Sequence, residues 1–239
     1  MEQIYTIPVN EAFDASAENA SCGCPMCALY RKLEENELDL ILGASMMEPD
    51  VRIKTNRKGF CRTHYDMMFV RKNRLGMALT LESHLKELKD DLAKGLIGTI
   101  IGRPDARPAK RIGELQSSCY VCERIDFHFQ HMAETVVLLF DTDETFVEKM
   151  KKQPYFCLPH YRLLLEKAAI RLGKKQLPAF CDVTRRVVDS DLETLTEDVS
   201  WFCKHFDYRF DAEPWKNSKD SVERAIKFLR SDLHRSTKD

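Results

Sequence analysis

Apolar residues recur every three or four positions along most of the 239-residue chain, and no convincing period-two run interrupts them. That pattern predicts an all-α fold. After Pro25, residues 26–42 place Leu29, Leu33, Leu40 and Ile41 at helical spacing. Residues 46–58, with Pro49 and Asn56 ahead of Gly59, predict a connecting loop. From Arg62 a helical pattern runs to about residue 94 through Met68, Leu75, Leu79, Leu85, Leu88 and Leu92, jointed near residues 73–76. Gly98, Gly102, Pro104 and Pro108 then mark residues 96–112 as a linker.

The chain beyond repeats the plan. Helices are predicted over 120–140, over a short segment ending at Lys151 and capped within Asp141-Thr142-Asp143, and over 158–172, closed by Gly173. Pro178 opens a long helix to about residue 210. A loop at Pro214-Trp215 leads to a last helix over 221–233.

Inside these two stretches lies a repeated set of anchors. Cys24-Pro25-Met26-Cys27 is followed by Cys61-Arg62-Thr63-His64, and Cys119-Tyr120-Val121-Cys122 by Cys157-Leu158-Pro159-His160. The second set stands 95, 95, 96 and 96 residues beyond the first, and Phe60-Cys61 and His64-Tyr65 match Phe156-Cys157 and His160-Tyr161. A gap of two residues lets a helix start offer two side chains to one ion, and three thiolates with one imidazole complete a tetrahedral zinc shell. The expectation is two zinc ions per chain, each within its own half: Cys24, Cys27, Cys61 and His64 on one, Cys119, Cys122, Cys157 and His160 on the other. The architecture that follows is two tandem zinc-stapled helical repeats packed as one bundle-like unit, residues 1–95 and 113–239 around the linker 96–112, the second ending in the C-terminal helix.

Charge and composition narrow the function. Thirty-seven Lys and Arg against 38 Asp and Glu leave a net charge of -1, so no overall positive field draws the chain to nucleic acid or membrane. Locally, residues 51–74 carry eight bases and one acid, whereas residues 182–213 carry nine acids and four bases. The basic stretch is expected to be a solvated face or to pair with the acidic one; the alternative is a nucleic-acid surface. The first eight residues lack a basic or apolar leader, and the longest apolar run, 135–140, is too short for a bilayer. A cytoplasmic, reducing location is expected, where clustered cysteines favour metal over disulfides.

Met47-Glu48-Pro49-Asp50-Val51-Arg52, Asn56-Arg57-Lys58-Gly59-Phe60-Cys61 with His64, Phe206-Asp207-Tyr208-Arg209 and Pro214-Trp215-Lys216-Asn217-Ser218-Lys219-Asp220 add to the Cys24–Cys27 motif a resemblance over nearly the whole chain. The sequence resembles a bacterial family of uncharacterised proteins, a domain of unknown function with members often labelled ABC transporter substrate-binding proteins. The resemblance implies no activity, and the transporter label does not suit a chain without an α/β pattern.

Four further residues are weighed. Cys22 is read as incidental, against replacing Cys24 or serving as a spare thiol. Cys181, Cys203 and His205 are read as packing rather than a third site, because Thr184 stands where a histidine would be needed. No catalytic motif emerges, so an enzyme is the lesser expectation. The leading one is a structural zinc protein that binds a protein partner or itself. The alternatives are a thiol-redox sensor that releases zinc and a nucleic-acid binder using residues 51–74.

Overall fold

The computed structural model describes residues 3–100 and 107–234, and every regular element among them is a helix. The expected all-α fold is what the chain adopts. The helices are α1 (Gln3–Glu18), α2 (Pro25–Leu42), α3 (Pro49–Lys58), α4 (Arg62–Val70), α5 (Arg74–Ile100), α6 (Arg107–Ser117), α7 (Tyr120–Thr142), α8 (Glu144–Lys151), α9 (Leu158–Arg171), α10 (Gln176–Lys204) and α11 (Ser221–Arg230).

The chain divides into two compact units, but not at residues 96–112. One unit holds the described residues up to Arg31 and from Phe129 onward; the other holds Lys32–His128. The division therefore falls inside α2 and α7. Of the expected linker, residues 101–106 lie outside the described part, and Arg107 onward is helical with Pro108 in the first turn.

In the first unit, Val9 and Phe13 of α1 are fully buried, and the helix runs on through Pro8. The Phe13 ring lies 4.9 Å from Phe146 of α8 and 6.2 Å from Phe156. Phe140 of α7 meets Phe180 of α10 edge-on at 4.9 Å. Asp143 caps α8 by accepting from the Thr145 N–H at 2.9 Å, as the sequence suggests. Thr184 is buried, its hydroxyl donating to the Phe180 carbonyl at 2.8 Å.

In the second unit, residues read as a loop form α3. Its Pro49 and Gly59 mark helix ends, Pro at the first position and Gly just past the last, and not a break. The helix has no apolar stripe; it buries Thr55 and Asn56. The Asn56 carbonyl accepts from His84 Nδ1 at 2.8 Å and from Arg111 at 3.2 Å, and the Arg57 carbonyl accepts from Arg111 at 2.7 Å. Arg111, which also meets Asp91 at 3.0 Å, thus ties α3, α5 and α6 by satisfying carbonyls that a helix end leaves open. The joint expected near residues 73–76 separates α4 from α5, where the Asn73 side chain accepts from the Gly76 N–H at 2.9 Å and donates to the Leu42 carbonyl at 2.6 Å.

Three bases of the 51–74 stretch pair inside this unit: Lys58 with Glu123, Arg71 with Asp39 and Arg62 with Asp66. Among the described residues no helix is long and apolar enough to cross a membrane. Phe13→Ala should cost about 3–5 kcal/mol of unfolding free energy. Ile7→Ala, at a position 67% exposed on the same helix, should change it by less than about 0.5 kcal/mol. Urea unfolding of both variants checks the difference.

Candidate metal centre

Each of the four motifs sits at a helix start. Cys24, Cys61, Cys119 and Cys157 lie immediately before α2, α4, α7 and α9, and each carbonyl accepts from the N–H four residues on, at 3.2, 3.0, 3.1 and 2.8 Å. Cys27, His64, Cys122 and His160 follow in the first turn, where unpaired N–H groups and the positive helix end favour thiolate. All eight candidate ligands stand in the positions that their spacing suggests.

Their grouping corrects the expectation. Cys24 and Cys27 gather with Cys157 and His160; Cys61 and His64 gather with Cys119 and Cys122. Each cysteine pair meets the Cys-His pair of the other half of the chain. His64 meets Glu34 near the middle of α2, nine residues past the first residue of that helix, and in the second half the His160 ring packs 5.1 Å from Phe129 in the middle of α7. Glu34 and Phe129 both stand ten residues past the first cysteine of their half.

Local bonds then deliver the partners. Gly59, at φ +60°, ends α3, and its carbonyl accepts from the Tyr120 N–H at 3.0 Å. The Ser118 hydroxyl donates to the Lys58 carbonyl at 2.7 Å, so the approach to Cys61 is fastened to that of Cys119. Around Cys24, Gly23 has φ +75°, its carbonyl accepts from Ser16, and a Cβ there would lie 3.1 Å from the Tyr155 hydroxyl. Only glycine fits that backbone beside the segment leading to Cys157.

The four donor atoms of each set lie within 4.8 Å of one another. A tetrahedron with Zn–S near 2.3 Å and Zn–N near 2.05 Å has edges of about 3.8 Å (S–S) and about 3.5 Å (S–N). In the first set Cys27 Sγ is 3.7 Å from Cys157 Sγ, and His160 Nδ1 is 3.7, 3.4 and 3.1 Å from Cys24, Cys27 and Cys157. In the second, Cys61 Sγ is 3.9 Å from Cys122 Sγ, and His64 Nδ1 is 3.2, 3.3 and 3.4 Å from Cys61, Cys119 and Cys122. The donors fit a tetrahedral ion in both places.

Electrostatics points the same way. Cys119 is held at about 3, chiefly by a hydrogen bond from Cys122 that outweighs burial, with His64 adding to it. Cys122 is correspondingly pushed up, first by the proton it shares with Cys119. At Cys24 burial opposes ionisation, but hydrogen bonds from Cys157, Cys27 and His160 together hold the thiol well below its usual range. Cys157 is pushed up by its hydrogen bonds to Cys24 and Cys27. Crowded sulfurs cannot all ionise alone; a divalent cation among them removes that conflict.

The supporting shell of the second set is one that composition and spacing did not single out. His64 Nε2 lies 3.0 Å from Glu34 Oε1, and both side chains are sealed from solvent. Burial lowers the His64 pKa, but the Cys119 sulfur and Glu34 more than reverse this and raise it to about 10. Donating Nε2–H to a carboxylate leaves Nδ1 free for a metal and fixes the ring, the arrangement that tunes many metal-bound histidines. One signal for Glu34 was present: it falls in register with Cys27, Leu38 and Ile41, an acid on a buried stripe. One turn further on, buried Glu37 meets Arg124 at 3.0 and 3.3 Å.

Cys22, half-buried in a short 3-10 turn (Ala20–Cys22), belongs to neither set. Cys181 is half-buried and Cys203 exposed on α10, while His205 stacks on Trp215 with centroids 4.0 Å apart. None of the three enters a donor cluster.

These features define an all-α protein with two Cys3His clusters, each built from two helix starts. The chain belongs to a family of unknown function (DUF6062), whose family model matches residues 1–236. No curated protein and no solved structure matches it.

Two outcomes check the grouping. Cys61→Ser should expose Cys119 and Cys122 to alkylation while Cys24, Cys27 and Cys157 stay protected; loss of protection at Cys24 and Cys27 instead would restore pairing within halves. Glu34→Gln should weaken metal binding at the His64 centre alone, by about 10- to 100-fold, measured by competition with a chromogenic chelator.

Proposed function

We propose that the eight side chains hold two structural zinc ions and that the protein is an interaction or adaptor protein whose helices the ions hold in place. The observation that carries this is the joining of distant helix starts: Cys27 meets Cys157 across 130 residues and Cys61 meets Cys122 across 61. Such long closures are entropically costly, and the cost rises with loop length. A structural zinc site contributes about 10–16 kcal/mol in small peptides, against about 5–15 kcal/mol for the net stability of a domain. Three sulfurs and one nitrogen fill a tetrahedral shell, leaving no position for a substrate.

A protein partner, or a second copy, suits this reading. Val222, Ile226 and Leu229 stand exposed at helical spacing along α11, a stripe that a partner's apolar side chains would cover. Nucleic acid is the weaker alternative, since Lys58, Arg62 and Arg71 of the basic stretch already have acidic partners.

Elemental analysis of the native protein should find two zinc atoms per chain. Metal-free ligands bind protons that the ion displaces, so affinity falls as pH falls. Acidification should therefore release zinc and helix signal together, and neutral pH with zinc should restore both. A chelated chain that keeps its full circular dichroism and its melting temperature would refute the structural role.

A further inference from the structure

The two centres differ in what reaches them. Cys24, Cys27, Cys157 and His160 are 1, 1, 0 and 5% exposed. Over them lie the Phe129 ring and the Asp232 N–H, which points at Cys27 Sγ from 3.4 Å. At the other centre His64 and Cys119 are buried, but Cys61 is half-buried and Cys122 is the least covered of the four. The Cys61–Cys122 pair, with sulfurs 3.9 Å apart, is thus the less covered side of this cluster.

We propose that the Cys61–His64–Cys119–Cys122 centre is a redox-labile site opened by hydroperoxides through a Cys61–Cys122 disulfide, while the Cys24–Cys27–Cys157–His160 centre is a permanent staple. This rests on the zinc reading above and adds a regulation to one of its two sites. Reactivity of a cysteine follows thiolate character and access together. Both centres supply thiolates when filled; only one supplies access.

The chemistry balances with a hydroperoxide as oxidant. The Cys122 thiolate attacks one peroxide oxygen, the O–O bond breaks, and the departing oxygen takes a proton to leave as water or an alcohol. Cys122 is then a sulfenic acid. The Cys61 thiolate attacks that sulfur, the S–S bond forms, and the hydroxide displaced takes a second proton to become water. Two thiolates have lost two electrons and the peroxide has gained them. Cys119 and His64 remain, two donors where four are needed, and the α4 and α7 starts stay joined by the new bond. A dithiol reductant reverses the step.

The test uses full-length protein carrying Cys22→Ala, Cys181→Ala and Cys203→Ser, which removes the thiols outside both clusters. Zinc is counted first, then hydrogen peroxide is added in limiting steps with a chromogenic zinc indicator present. Peptides are mapped under non-reducing conditions. Expected are release of one ion per chain, about tenfold or more faster than the second, and a Cys61–Cys122 disulfide. Cys24, Cys27 and Cys157 should be recovered as free thiols after denaturation, and dithiothreitol with zinc should restore the starting content. Simultaneous loss of both ions, earlier loss from the Cys24 cluster, any other first disulfide, or retention of both ions under excess peroxide overturns the proposal. Protein that carries no zinc before peroxide is added overturns the underlying zinc reading instead, so the two failures are distinguishable.

Discussion

Three sulfurs and an imidazole nitrogen brought within hydrogen-bonding distance of one another cannot all ionise unless a cation joins them. This protein contains that arrangement twice, each time between two helix N-termini whose unpaired N–H groups already lean toward anionic partners. Much of the surrounding structure serves to deliver four side chains to one point. Gly23 and Gly59 turn the backbone where a side chain would not fit or would be strained. Ser118 and the Tyr120 N–H fasten the approach to Cys61, and Arg111 completes the α3 end that precedes it.

The donor sets are nested along the chain. The first and last motifs form one centre and the two middle motifs form the other. The same position in each half, ten residues past the first cysteine, backs the histidine, yet it is Glu34 in one case and Phe129 in the other. A carboxylate orients the ring and strengthens it as a ligand; an aromatic face excludes water. The two centres are thereby built alike in ligands and unlike in environment. That difference, with the exposure of Cys122, separates a covered centre from an accessible one.

Legibility varied with the kind of force that shapes each element. Helices with an apolar stripe, such as α7 and α9, stand close to their expected bounds because burial of that stripe also creates the sequence period. The α3 segment buries Thr55 and Asn56 and holds its end through Arg111 and His84; none of these leaves a hydrophobic period, so its Pro and Gly read as a loop. In α6 the linker reading rested on Pro104 and Pro108, while the helix starts at Arg107 and is held through Arg111, whose contacts the sequence does not show. α10 ends at Lys204 rather than near residue 210, and turns follow around the Trp215–His205 stack.

The eight clustered residues were readable because C-x-x-C and C-x-x-H are local devices: two side chains three residues apart at a helix start converge whatever the rest of the chain does. The choice of partners was not local. It depended on which helix starts pack together and on backbone bonds between segments some 60 residues apart. Spacing along a sequence is blind to both. The candidate donors thus came from the linear order of residues, whereas the crossed pairing, the Glu34 support and the unequal exposure of the two clusters exist only once the helices have packed.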